Sequence, residues 1–104
     1  LKARADFTVE IGAQAEEDLV DVAAWYDERH PTGHDRFLRD FGQALGTMRT
    51  FPGAGQQRND VRERMRSHYV HPYLVFYDVN ERDRIVTIIR VLYGRMDITR
   101  EDFD

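Results

Sequence analysis

Tyr73-Leu74-Val75-Phe76-Tyr77-Asp78-Val79-Asn80-Glu81-Arg82-Asp83-Arg84-Ile85-Val86-Thr87-Ile88-Ile89-Arg90-Val91-Leu92-Tyr93 is the stretch on which the fold turns. Residues 73–79 are almost continuously apolar, 80–83 have turn chemistry, and 85–93 are β-branched and apolar with only Thr87 and Arg90 interrupting. Runs of this length and composition on either side of a polar turn predict two buried antiparallel strands. Strands so apolar must be covered on both faces, so the rest of the chain has to supply the cover.

Upstream, residues 64–70 predict a further, mixed strand, and the polar segment 53–63, with two glycines and no period, predicts a loop. Before it come two amphipathic helices. From Ala13 to about Arg29, Ala15, Leu19, Val22, Ala23 and Tyr26 recur at three- and four-residue steps, with Glu16, Glu17, Asp18 and Asp21 on the other side, where the helix dipole and solvent account for them. Pro31 and Gly33 interrupt the pattern, Thr32 with Asp35 suggests a capping start, and a second helix then presents Phe37, Leu38, Phe41, Leu45, Met48 and Phe51 before Pro52-Gly53 ends it. At the start, Phe7 to Ile11 alternate as a half-buried strand would. The expected order is therefore β-α-α-β-β-β, a single α+β domain over 1–104, with 1–6 and 99–104 as tails. The helical hairpin would cover one face of a small antiparallel sheet, leaving the other free to bind.

Composition narrows the chemistry. With no cysteine, disulfides and thiol chemistry are excluded, and no apolar run approaches the length of a membrane span, so no membrane association and a cytoplasmic location are expected. The net charge of −4 disfavours direct DNA binding through phosphates. It divides unevenly: −4 over residues 1–57, +3 over 58–100 and −3 over 101–104, and every basic residue but Lys2 is arginine. Arg58, Arg62, Arg64 and Arg66, with Arg90 and Arg95 on or after the last strand, would converge on one patch if the two strands that carry them are neighbours. His30, His34, His68 and His71 lack a third ligand or a zinc-helix spacing. No metal and no cofactor are expected.

The pieces that carry a resemblance are Ala15-Glu16-Glu17-Asp18-Leu19 with Trp25-Tyr26, Arg36-Phe37-Leu38, Phe51-Pro52-Gly53, Arg66 followed by Tyr73-Leu74-Val75-Phe76-Tyr77, and Ile89-Arg90-Val91-Leu92-Tyr93-Gly94-Arg95-Met96-Asp97. In this order and spacing they resemble the ParE branch of the RelE/ParE toxin superfamily. The resemblance implies a toxin of a type II toxin–antitoxin system that binds DNA gyrase, neutralised by a ParD-like, ribbon-helix-helix antitoxin. Arg66, Arg90, Tyr93, Arg95 and Asp97 would carry toxicity, and Trp25, Tyr26 and Phe37 would be candidates for antitoxin contact, although Tyr26 and Phe37 also suit the core. RelE-type relatives instead cut mRNA on the ribosome, which needs a cation for the phosphate and a proton donor for the leaving oxygen. Here that set would reduce to Arg66, Arg95 and Tyr93, because Lys2 is the only lysine and residues 96–104 contain no Tyr or His. A non-toxic interaction module of the same fold is the third reading.

Overall fold

The computed structural model describes residues 6–104; Lys2 and most of the expected N-terminal tail lie outside them. The elements are β1 (Thr8–Ile11), α1 (Ala13–Arg29), α2 (Pro31–Thr50), a 3-10 turn (Pro52–Ala54), β2 (Gln56–Gln57), β3 (Arg66–Val70), β4 (Tyr73–Asn80), β5 (Ile85–Tyr93) and a second 3-10 turn (Arg100–Phe103). They form a two-helix hairpin on a five-stranded sheet of order β1-β5-β4-β3-β2. The α+β class and the expected helices and principal strands are all present. Three features differ: β1 runs parallel to β5, with Thr8 beside Ile85 and Ile11 beside Ile88; the loop after α2 contains the short strand β2; and β4 separates β3 from β5.

The helices are joined by one residue, His30. Pro31 takes the first position of α2, where its missing N–H leaves no hydrogen bond unmade, so Thr32 lies inside the helix and is not its cap. So tight a turn needs Gly33, because a Cβ there would stand 2.8 Å from both the Tyr26 and the His30 rings. Ala15, Val22, Tyr26, Phe37, Phe41, Ala44 and Met48 pack on Val75, Tyr77, Val86, Ile88 and Val91 as the main core. Leu38 and Phe51, assigned to the apolar face by spacing, are instead 48% and 63% exposed.

The opposite face is not open. Val61, Met65, Phe76, Leu92 and Phe103 form a second buried cluster, and the segment expected as a tail closes it. Phe103 meets the Phe76 ring edge-on at 4.9 Å. Arg62 donates to the Phe103 carbonyl, and Arg90 donates to that of Asp102. Thr99 and Asp102 close a reciprocal capping box, with Thr99 N–H 2.8 Å from the Asp102 carboxylate.

At the far end of the main core, the Tyr77 hydroxyl donates to the Pro52 carbonyl at 2.8 Å and accepts from Gly55 N–H at 2.9 Å. A Cβ on Gly55 would collide with the Tyr77 ring. Tyr77→Phe leaves both backbone groups unsatisfied in a buried site and is expected to cost about 2 kcal/mol, read as a lowered midpoint in urea unfolding with an unchanged slope.

Candidate functional site

One residue in β5 decides which side chains reach the functional end of the molecule. Tyr77 pairs with Ile88 but Phe76 pairs with Arg90, so Ile89 is the extra residue of a β-bulge. Because faces alternate along a strand, one inserted residue reverses the face of everything beyond it. Ile88 lies under the helices, Arg90 and Leu92 fall on the second face with Phe76 and Leu74, and Tyr93 returns to the helix side opposite Tyr73.

Arg90 and Asp18 sit beside the bulge. β1 covers β5 only as far as Ile88, where Gly12 N–H donates to the Ile88 carbonyl at 2.9 Å, and α1 then carries Asp18 over the uncovered strand edge. Its carboxylate accepts from Val91 N–H at 2.8 Å and from Arg90 Nε and Nη2 at 2.8 and 2.9 Å. The pair is nearly buried, with 10% and 16% of the two side chains exposed, and the hydrogen bond to Asp18 raises the Arg90 pKa above its usual value. Asp18 is thus a structural acid, not part of a solvated helix start, and the Arg90 guanidinium is already engaged.

The expected arginine patch does not form. Arg66 donates to the Gly55 carbonyl at 2.8 Å. Arg58 is bound to Asp60 through two 3.0 Å hydrogen bonds and lies 5.1 Å over the Phe76 ring. Arg62 holds the C-terminal turn. These arginines fasten loops to the sheet. Asp97 is exposed.

Tyr93 and Arg95, by contrast, meet Trp25, Tyr26 and Phe37 in a groove of about 1030 Å³ at the closed end of the helical hairpin. Its other contributors include Arg36 and Arg39 from α2, and His71 and Pro72 from the β3–β4 turn. Phe37 lies edge-on to Tyr73 at 5.3 Å, and Tyr73 edge-on to Tyr93 at 6.0 Å. Tyr26 and Phe37 are buried, forming the floor, whereas Trp25 and Tyr93 are 46% and 44% exposed. The Arg29 guanidinium sits 5.3 Å over the Trp25 ring, a cation–π arrangement. The lining holds three arginines, two histidines and no acid. Sequence reasoning missed Arg36, Arg39, His30 and His71 as members of a site. The three-residue spacing of the two arginines was the available signal, since it puts both on one helix face.

Burial raises the pKa of Tyr26, Tyr73 and Tyr77; the phenols of Tyr26 and Tyr93 add to the effect at Tyr73, while Gly55 N–H and the charge of Arg66 oppose it at Tyr77. A folded-state pKa above the unfolded value means that stability is intact below about pH 10 and is lost as pH rises through the folded value. Absorbance titration at 295 nm is therefore expected to show three of the five tyrosines ionising late, with unfolding accompanying their ionisation. Among the described residues no cluster of three or more His, Asp or Glu is placed to hold a metal, and no helix is long and apolar enough to cross a membrane.

Residues 9–98 match a family model described as the ParE toxin of the type II toxin–antitoxin system parDE. Toxin ParE3 of Caulobacter vibrioides is 39% identical over 51 residues, 49% of this chain and 49% of that toxin, so the chain matches about half the length of this relative. Among solved structures, the chromosomal ParDE toxin–antitoxin system from P. aeruginosa contains a chain similar at a TM-score of 0.68 with 14% identity, over 84% of this chain and 95% of that one. The RelBE2 toxin–antitoxin complex of Mycobacterium tuberculosis contains one similar at 0.57 with 22% identity, over 85% and 98%. At these identities the two structural likenesses speak for the fold alone. The family match takes in all of β1 but its first residue, every element through β5, and the groove residues Trp25 to Arg95, and with it the chain belongs to the ParE toxin family of type II toxin–antitoxin systems.

Proposed function

We propose that the protein arrests growth by binding DNA gyrase in the cytoplasm and is neutralised by a ParD-like antitoxin, with the groove as the shared contact surface. The observation that carries this reading is the meeting of Tyr93 and Arg95 with Trp25, Tyr26 and Phe37 in one cleft. An antitoxin seated there covers the residues proposed for the target, so neutralisation is direct occlusion. Arg90, held by Asp18, lies outside the groove lining.

The arrangement favours binding over catalysis. Arg66 pairs with Tyr77, and Tyr93 with Tyr73, four residues earlier in β4; that is roughly 13 Å along the strand. The set Arg66, Arg95 and Tyr93 that a ribonuclease would need is therefore not assembled at one phosphate.

Inhibition of gyrase supercoiling by the purified protein is the test, with Arg95→Ala expected to reduce the inhibition at least about tenfold. Unimpaired supercoiling together with mRNA cleavage on induction would transfer the protein to the ribonuclease class. An absence of growth arrest without antitoxin would leave an interaction module.

A further inference from the structure

Building on the toxin–antitoxin reading, we infer that the groove selects an acidic peptide segment of the antitoxin, with carboxylates held by Arg36, Arg39 and Arg95 around an apolar side chain seated between Trp25 and Tyr93. Three observations converge on this. Charge is the first: the chain carries −4 overall, yet the groove lining includes no Asp or Glu. The second is the state of its arginines. Arg58, Arg62, Arg66 and Arg90 are engaged in hydrogen bonds with the rest of the chain. Among the described residues, Arg36, Arg39 and Arg95 have no side-chain hydrogen bond or ion pair and are exposed, a state they share with Arg49, Arg64, Arg82 and Arg100, but these three are the ones that meet in the groove. Guanidinium forks match carboxylates in geometry as well as charge, and Arg36 and Arg39, one turn apart on α2, can grip two of them.

Size and flanks are the third. A volume of about 1030 Å³ reaches the top of the range for small-molecule pockets and suits several residues of extended or helical chain. A phosphate polyanion meets the same arginines, but it also needs a cationic track beyond them. Here Asp27 and Glu28 follow Trp25 on α1, and Asp35 and Asp40 flank the arginines on α2. The three arginines of the lining match a short acidic segment rather than a long polyanion. The floor offers Tyr26 and Phe37, buried and stacked, with Tyr73 edge-on to Phe37 and to Tyr93, an apolar lining for an aliphatic or aromatic anchor.

Trp25 is the only tryptophan and stands at the lip of the groove, so its fluorescence reports occupancy without a label. The full chain is titrated with a blocked hexapeptide of four glutamates around a central leucine–phenylalanine pair, with its four-glutamine counterpart, and with hexathymidylate. The expected result is a saturable change with the glutamate peptide, binding at least about tenfold weaker for the glutamine peptide, and a similar loss for the glutamate peptide in the Arg36→Gln/Arg39→Gln double variant at unchanged melting temperature. Equal binding of the two peptides, tighter binding of hexathymidylate, or no saturable change with the glutamate peptide overturns the inference. Growth arrest separates the two levels: arrest without glutamate-peptide binding removes only the docking inference, and peptide binding without arrest removes only the toxin reading.

Discussion

Asp18→Ala is expected to lower the stability of the fold by about 3–5 kcal/mol, the usual cost of removing one partner of a buried ion pair. The substitution strands the Arg90 guanidinium with only the Asp102 carbonyl and leaves Val91 N–H without an acceptor at the edge that β1 does not reach. Of a total that is about 5–15 kcal/mol for a domain of this kind, that is a large fraction. Asp18→Asn keeps an oxygen for Val91 but loses the charge, and falls between wild type and alanine. The double variant Asp18→Ala/Arg90→Met removes the orphaned charge and is expected to be more stable than Asp18→Ala alone, a coupling that urea unfolding measures directly. A loss below 1 kcal/mol for Asp18→Ala would show that the pair behaves as an ordinary surface bridge.

Phe103→Ala is the second large effect, at about 3 kcal/mol. The ring is 5% exposed and fills the second core against Phe76, so truncating it opens a cavity over Met65, Phe76 and Leu92. The neighbouring Glu101→Ala, at an exposed position on the same turn, is expected to stay within about 0.5 kcal/mol. Hydrogen exchange adds a spatial signature: in Phe103→Ala, protection falls in the C-terminal turn and in the loop that carries Arg62, while β4 retains most of its own.

The helices and the β4–β5 hairpin were legible in the sequence because their burial is periodic or continuous, and periodicity is what spacing reports. What escaped was set by contacts between distant parts of the chain. Phe103 stands alone among acids at 101–104, a composition that reads as a solvated tail until Phe76 and Arg62 are found beneath it. Asp18 reads like its neighbours Glu16 and Glu17, and only the early end of β1 distinguishes it by leaving Val91 N–H to be satisfied. The arginine patch required β3 beside β5, but strand order put β4 between them. For the groove, Tyr93 was identified through its place in the resembling segment, while Arg36, Arg39 and His71 were invisible as its neighbours. The bulge at Ile89 brings Tyr93 to their side of the sheet, and an apolar run such as Ile88-Ile89 gives no sign of where a residue is left over.

The parallel pairing of β1 with β5 also has a consequence in time. Thr8 is matched to Ile85, so the strand that leaves the ribosome first must wait for one made 77 residues later. At about 5–20 residues per second that delay is roughly 4–15 s, during which β1 lacks the strand it pairs with. Tyr93 and Arg95 emerge later still, so no shorter nascent chain carries the assembled groove. The surface proposed for both target and antitoxin is complete only once Arg95 has been made, and an antitoxin of the proposed kind would meet each new molecule as it becomes competent.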